Sequence, residues 1–200
     1  MRPIHVQAEE LRMQAGLDAA LLDYARRRPE ESEAVALFRE LLADAEDPFR
    51  RERLAGHFTA SSWLVDRGGE RALLTHHRKL GLWLQLGGHA DGQRELYLAA
   101  LREAEEESGL TGLRVDEAIF DVDRHWIPEH KAVPAHWHYD VRYVVHAGEN
   151  EAYTVSEESL DLAWRRIDEL AADPATDASV RRMARKWLAK GEGRGVSGEE

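Results

Sequence analysis

The N-terminal part of the chain carries apolar side chains at helical spacing. Two runs show this spacing, one on each side of Pro29, and their apolar members are Leu11, Leu17, Leu21, Tyr24, Val35, Phe38 and Leu42. Recurrence every three to four residues predicts amphipathic helices. Pro48 disfavours helix at the residue before it. The pattern therefore predicts a helical N-terminal extension over residues 1–54.

After this extension, the pattern changes to the alternation that is typical of strands. The segments HFTASSWLVD and RALLTHHR flank Gly68 and Gly69, which predicts a β-hairpin. In GLWLQLGG the leucines occupy one face and Trp83 the other. The segment HWHYDVRYVVH alternates cleanly, with Trp137 and every second residue after it on one face and His138, Asp140 and Arg142 on the other. Together with LRVDEAIFD, these segments predict a β-sheet.

Two helices complete the predicted core. One covers residues 94–108, and another begins at Asp177 or Ser179 and continues through Trp187. Helices followed by mixed strands and helices predict an α/β or α+β fold. We expect the core domain to span residues 55–190 and the glycine-rich residues 191–200 to form a flexible tail.

Composition narrows the chemistry. Hydrophobic residues make up 43% of the chain and charged residues 32%, which is ordinary for a soluble globular protein, and there is no apolar run long enough to cross a membrane. We therefore expect a cytoplasmic protein with no membrane partner. Because the chain has no cysteine, any metal must be held by oxygen or imidazole ligands.

The net charge argues against nucleic acid as a partner. A formal charge of −11 opposes contacts with a phosphate backbone, since those contacts need clustered Lys and Arg. A small polyphosphate is still compatible with this charge, because divalent cations can neutralise both the ligand and an acidic site.

The segment LREAEEESGL places three carboxylates on one side of a predicted helix. Glu103, Glu106 and Glu107 are three and four residues apart and therefore cluster, whereas Glu105 points elsewhere. Clustered oxygen ligands suit hard cations such as Mg²⁺. A solvated acidic face explains the same spacing equally well, so the helix by itself leaves both interpretations open.

The residues that precede this helix favour the metal. The segment LQLGGHADGQRE ends a predicted strand in glycines, which permit close approach of a phosphate to the backbone. Residues 88–110 resemble the Nudix box in register, and the matching residues are Gly88, Arg102, Glu103, Ala104, Glu106, Glu107, Gly109 and Leu110. One position departs from the box, because Arg94 stands where its first glutamate is expected and Glu95 follows one residue late. We expect this change to weaken a supporting contact rather than the chemistry.

The resemblance to Nudix hydrolases implies a fold, a reaction and a set of roles. The fold would be an α/β/α sandwich with a mixed sheet, and the reaction would be Mg²⁺- or Mn²⁺-dependent cleavage of a pyrophosphate bond in a nucleoside diphosphate linked to another group. Glu106 and Glu107 would be the principal metal ligands, and Glu103 a further ligand or the base for the attacking water. Arg102 would orient Glu103 through a charge-assisted hydrogen bond, and Gly88 would let the main chain approach the metal and phosphates.

Other residues have two interpretations each. Trp83 could stack on a base or pack against the protein. Arg142, together with His138, could meet a phosphate or belong to a polar or edge face of the sheet. His136 and His138 share a strand face and could belong to an imidazole metal site, but the sequence offers no obvious third ligand.

The same resemblance leaves three questions open. Glu151, Glu157 or Glu158 could add a loop carboxylate to the site or simply be solvated. The N-terminal helices could form a homodimer surface or a lid over a small nucleotide-like substrate. A Nudix-fold protein that binds its ligand without turnover is the main alternative to a hydrolase, and the intact glutamates oppose it; an isomerase of this fold would need a catalytic cysteine, which the chain lacks.

Overall fold

The helices and strands are taken from a computed structural model that describes residues 4–78, 81–130, 133–155 and 159–192. The helices are α1 Ile4–Arg27, α2 Ser32–Leu42, α3 Leu96–Ser108, α4 Ile167–Ala172 and α5 Ala178–Glu192, with a 3-10 turn at Pro29–Glu31. The strands are β1 Gly56–Val65, β2 Arg71–His77, β3 Trp83–Leu84, β4 Leu86–His89, β5 Arg114–Ile127, β6 His136–His146 and β7 Ser159–Arg166. The predicted α+β class with an N-terminal helical region is confirmed. None of the described helices combines the length and the apolar character needed to cross a membrane.

The chain divides into two compact units that do not follow the order of the sequence. The first comprises residues 1–61, 87–100 and 115–143, and the second comprises residues 62–86, 101–114 and 144–200, each within the described part of the chain. In the first unit β6 lies between β1 and β5, and β4 pairs with β1. In the second unit β2 pairs with β1, β3 and β7.

The N-terminal helices share the hydrophobic core of the first unit. Leu21 and Tyr24 of α1 and Phe38 of α2 are fully buried in the same cluster as Phe58 of β1. The Phe38 ring meets the Tyr139 ring of β6 edge-on at 5.3 Å between centroids. These apolar side chains are therefore buried within the unit, and a homodimer surface on the N-terminal helices stays a prediction. The proposed boundary of a separate extension at residue 54 stays a prediction.

A β-hairpin in the second unit is closed by Asp66. Its carboxylate accepts hydrogen bonds from the backbone N–H groups of Glu70 (2.8 Å) and Arg71 (3.1 Å) and from Arg71 Nε (2.7 Å). Gly69 adopts a φ of 70°, a conformation that suits glycine. The hairpin that Gly68 and Gly69 predict is confirmed.

The strands after the hairpin differ from the sequence-based expectation in two ways. The single strand expected in GLWLQLGG is two short strands, β3 and β4, which pair with different partners, β2 and β1 respectively. Strand β7 was not expected, although it pairs antiparallel with β2 from Arg71↔Arg166 to His77↔Ser159. Leu160, Leu162 and Trp164 occupy every second position of this segment, so the period of a strand is present in the sequence, and the pairing with β2 identifies it as one.

Candidate functional site

Helix α3 carries the three clustered carboxylates. The side chain of Glu103 is 18% exposed and that of Glu106 is 65% exposed, while Glu107 is half-buried. Ala104 and Ser108, on an adjoining side of the helix, are fully buried. The helix therefore packs with its small residues and directs acidic oxygens away from them, as the spacing predicts.

Arg102 contacts two of the box glutamates. Its Nη2 donates a hydrogen bond to Glu103 Oε1 at 2.7 Å, and its Nε lies 4.0 Å from Glu106 Oε1. The first contact has the geometry that the resemblance implies for orienting Glu103. The catalytic and metal-binding roles of these residues stay predictions.

The glycine of the motif, Gly109, ends the helix. Gly109 adopts a φ of 68°, and its N–H donates to the Glu105 carbonyl at 2.9 Å. A Cβ at this position would lie 3.2 Å from Thr154 Cβ. Left-handed backbone and close contact both explain why glycine suits a helix end here.

The glycine-rich segment before α3 approaches its neighbours closely. A Cβ on Gly87 would lie 2.3 Å from Ser61 Oγ and 2.7 Å from Ser61 Cα, so no larger residue fits without displacement of backbone. Gly88 follows it in β4 and is partly exposed. Gly92 adopts a φ of 90° in the turn that leads to α3.

Arg94, the departure from the box, is held in the first unit. Its Nη2 lies 3.1 Å from Asp47 Oδ2, its guanidinium lies 4.9 Å from the centre of the Phe49 ring, and its side chain is only 12% exposed. Because α3 begins at Leu96, Arg94 precedes the first helical turn. A cation near a helix N-terminus is unfavourable, and the Asp47 carboxylate offsets the charge of Arg94.

Trp83 packs against protein groups in the second unit. Its ring stacks on the His76 ring at 5.1 Å with an interplanar angle of 17°, and the Arg165 guanidinium lies 5.6 Å from the ring centre. These contacts favour the packing interpretation. Base stacking by Trp83 stays a prediction.

Arg142 is buried among carboxylates in the first unit. Its guanidinium pairs with Asp140 (2.7 Å), Asp121 (3.2 Å) and Asp123 (3.3 Å), and its side chain is 2% exposed. Burial opposes the charge, but the three aspartates raise the pKa of Arg142. Since β6 lies between two strands, the expectation of an edge face is wrong, and the arginine's contacts are those of a structural ion network. Phosphate binding by Arg142 stays a prediction.

Of the three loop glutamates that could join the site, the structure describes Glu151. Glu151 accepts hydrogen bonds from the Arg67 N–H at 2.9 Å and from Arg71 Nη2 at 2.8 Å, so it braces the hairpin of the second unit. Glu157 and Glu158 lie outside the described residues.

Histidines form a cluster that the sequence only partly indicates. His136 and His138 of β6 are joined in the first unit by His57 of β1, His89 of β4 and His125 of β5, with ring centroids 5.0–5.5 Å apart for the neighbouring pairs. The missing third ligand of the imidazole hypothesis is thus present. Its members come from separate strands, so no local spacing reveals them.

Comparison with known proteins gives a consistent fold. The chain resembles the structure of a C. elegans Ap4A hydrolase binary complex (20% identity, TM-score 0.54, covering 68% of this chain and 98% of that one). It also resembles a MutT protein from Methanosarcina mazei Go1 (16% identity, TM-score 0.54, 70% and 98% covered). The chain also resembles the structure of a UDP-X diphosphatase (14% identity, TM-score 0.51), and the match covers 94% of this chain and 96% of that one. No curated protein sequence matches the chain.

The family model for the NUDIX domain matches residues 56–188, more than half of the chain. This range includes the glycine segment, the acidic helix and the strands of the sheet. The chain therefore belongs to the Nudix family of pyrophosphohydrolases.

Proposed function

We propose that this protein is a divalent-metal-dependent hydrolase that cleaves the pyrophosphate bond of a nucleoside diphosphate linked to another group. The observation that carries the proposal is the arrangement on α3, where Glu103, Glu106 and Glu107 share one side of the helix and Arg102 bonds Glu103. A purely solvated acidic face would not need an arginine that fixes one of its carboxylates.

The donor set fits Mg²⁺ or Mn²⁺. Carboxylate oxygens are the ligands of hard cations, and Mg²⁺ commonly takes a few of them while substrate oxygens and water complete its coordination. Glu106 and Glu107 are proposed as the principal ligands. A bound divalent ion would supply charge neutralisation at the phosphates and a more acidic water.

The remaining roles belong to side chains of α3 and to the glycine segment. Glu103, held at 2.7 Å by Arg102, would accept the proton of the attacking water or serve as a further ligand. Arg102 would orient the Glu103 carboxylate through this charge-assisted hydrogen bond. Gly88 would let the main chain approach the phosphates.

The substrate class rests on the family. The solved relatives are named for Ap4A and for UDP-X, and both names denote nucleotides that contain a phosphoanhydride. A panel of nucleoside triphosphates, nucleotide sugars, dinucleoside polyphosphates and ADP-ribose, assayed with Mg²⁺, identifies the member that this chain hydrolyses.

The decisive variant is Glu106→Gln, with Glu105→Gln as its matched control. Glu105 is the neighbouring exposed glutamate on another side of the same helix, so both variants make the same change in charge. We expect Glu106→Gln to lower kcat on the best substrate by orders of magnitude and Glu105→Gln to leave it unchanged. For Glu103→Gln, loss of a base predicts a fall of about 10²–10⁴-fold.

Three results would contradict the proposal. One is equal activity of the Glu106 and Glu105 variants, and another is activity that persists after chelation of divalent ions. The third is tight binding of a panel member without product, which would support a regulatory ligand-binding protein instead.

A further inference from the structure

The first unit gathers imidazoles from four strands into one cluster. His57 comes from β1, His89 from the end of β4, His125 from β5, and His136 and His138 from β6. Because β1 pairs with β4 and β6 lies between β1 and β5, the sheet itself brings these side chains together. The proposed hydrolase chemistry uses none of them.

Three of the histidines converge at one point. One ring nitrogen from each of His57, His89 and His138 lies within 4.8 Å of those of the other two. His136 Nε2 lies 3.1 Å from His138 Nε2. Zn–N bonds of about 2.0–2.1 Å place neighbouring nitrogens about 3.3 Å apart in a tetrahedral site. The His136–His138 pair, which is hydrogen-bonded here, has nearly this separation, and the nitrogens of His57, His89 and His138 are at most 4.8 Å apart.

Hydrogen bonds to backbone carbonyls orient two of the rings. His57 Nδ1 lies 3.1 Å from the Arg53 carbonyl, and His136 Nδ1 lies 2.8 Å from the Pro134 carbonyl. A carbonyl can only accept, so each Nδ1 carries the proton and each Nε2 presents a lone pair. This is the arrangement by which outer contacts fix the tautomer of metal-binding histidines.

The second ring nitrogen of His57, Nε2, is buried and has no hydrogen-bond partner among the described residues. His57 is 2% exposed, and among the described residues its Nε2 has no hydrogen-bond partner. A buried lone pair without a partner costs free energy. A ligand that accepts electron density from it would remove that cost.

Burial favours the neutral form of His57, His89 and His138, which is the form that binds metals. Burial lowers the pKa of His57 and His138, and it lowers the pKa of His89 to about 4. Arg51 and the neighbouring imidazoles act in the same direction on His89, and Asp91 acts against them. Arg51 itself is paired with Asp91, with Nε 2.6 Å from Oδ1.

We propose that His57, His89 and His138 bind a divalent transition-metal ion of the Zn²⁺ type, with His136 as the fourth ligand. Imidazole nitrogen suits Zn²⁺, Ni²⁺ and Cu²⁺, whereas Mg²⁺ and Ca²⁺ select oxygen. Four protein ligands describe a closed, structural site. The ion fastens β1, β4 and β6 to one another beside the glycine segment, and its ligands are separate from the carboxylates of α3.

The test is to strip the full chain of metal with a chelator and then titrate it with Zn²⁺. Calorimetry measures the binding, and an excess of Mg²⁺ is present throughout. We expect one equivalent of Zn²⁺ to bind tightly and His57→Gln or His138→Gln to weaken binding by at least about a hundredfold. Two controls should bind as the wild type does: His130→Gln, which removes an exposed histidine, and Glu106→Gln, which removes a carboxylate of the proposed hydrolase site.

Substitution of Co²⁺ for Zn²⁺ reports the geometry without any variant. Four imidazoles in a closed site predict the intense visible absorption of tetrahedral Co²⁺. Circular dichroism shows whether each histidine variant folds. If one does not, wild-type crystals soaked in Zn²⁺ provide the test instead, and we expect an anomalous peak about 2.1 Å from His57 Nε2.

The proposal is overturned if Zn²⁺ does not bind to the wild type, if folded His57 and His138 variants bind it equally well, or if the anomalous peak lies elsewhere. Loss of Zn²⁺ binding in Glu106→Gln also overturns it, because the ion would then occupy the acidic helix. Failure of the hydrolase assay leaves the titration unaffected, so the two proposals fail independently.

Discussion

At the scale of single residues, the contacts of a buried carboxylate decide its contribution to stability. Asp66 is 5% exposed and accepts three hydrogen bonds in the hairpin between β1 and β2. Burial acts to raise its pKa, but the hydrogen bonds from Arg71 and from the Glu70 backbone outweigh burial and lower it.

We expect Asp66→Asn to lower the free energy of unfolding by about 1–3 kcal/mol at neutral pH, because hydrogen bonds to a charged acceptor are lost. A carboxylate with a lowered folded-state pKa stabilises the protein above its unfolded pKa of about 3.9 and loses that effect as pH falls through the folded value. The difference between wild type and variant should therefore be full at pH 6–7 and shrink below about pH 4. Urea unfolding across this range measures it. Glu149→Gln, at an exposed glutamate, is the control, and an equal effect in both variants would refute the assignment.

The glutamates of α3 and the histidine cluster differ in how far the sequence alone could predict them. The box glutamates were identifiable because they are three and four residues apart on one helix, and helical geometry then places them together. His57 and His89, which we propose as zinc ligands, are far apart in sequence and meet only through strand pairing. The burial of Arg142 could not be predicted from the sequence for the same reason, because its three aspartate partners come from two strands.

At the scale of elements, close packing of β4 against β1 depends on one glycine. A Cβ on Gly87 would lie 2.7 Å from Ser61 Cα, and a clash with backbone cannot be relieved by a side-chain rotation.

We expect Gly87→Ala to destabilise the protein by about 1–3 kcal/mol, the usual cost of overpacking. Gly16→Ala is the matched control, because Gly16 lies in α1 with no atom within 4 Å of the added Cβ. Alanine there should instead stabilise by about 0.5–1 kcal/mol through its helix propensity. Thermal or urea unfolding of the two variants should shift in opposite directions; a shift in the same direction would contradict the packing described for β4.

The elements show where periodicity was sufficient and where it was not. Helices α1, α2 and α3 and the β1–β2 hairpin follow from spacing and turn residues within a few positions. The division between β3 and β4 does not, because these two short strands differ only in the strand that each one pairs with, β2 or β1. The pairing of β7 with β2 does not either, because the two strands are far apart in the sequence.

At the scale of the whole molecule, the N-terminal helices contribute to a shared core. Phe38 is fully buried against Phe58 and Tyr139, at 6.3 Å and 5.3 Å between ring centroids. An independent extension would not place Phe38 among strands of the sheet.

We expect Phe38→Ala to cost about 3–5 kcal/mol of unfolding free energy, as large-to-small changes in cores do. Leu54→Ala, at a side chain that is 52% exposed, should change stability by less than about 0.5 kcal/mol. Denaturation followed by circular dichroism compares them. Equal effects would mean that the helices are an accessory that the rest of the fold does not need.

The sequence by itself determined the family, the α+β class and the carboxylates proposed to bind Mg²⁺ or Mn²⁺, because each depends on residues that are close along the chain. Helical periodicity, turn glycines and the spacing of Glu103, Glu106 and Glu107 act locally. Only the tertiary structure decided which strands pair, how the N-terminal helices share a core, and that five histidines meet in one unit. Those features depend on contacts between distant segments, and such contacts arise from burial and hydrogen bonding in the folded sheet rather than from any pattern along the chain.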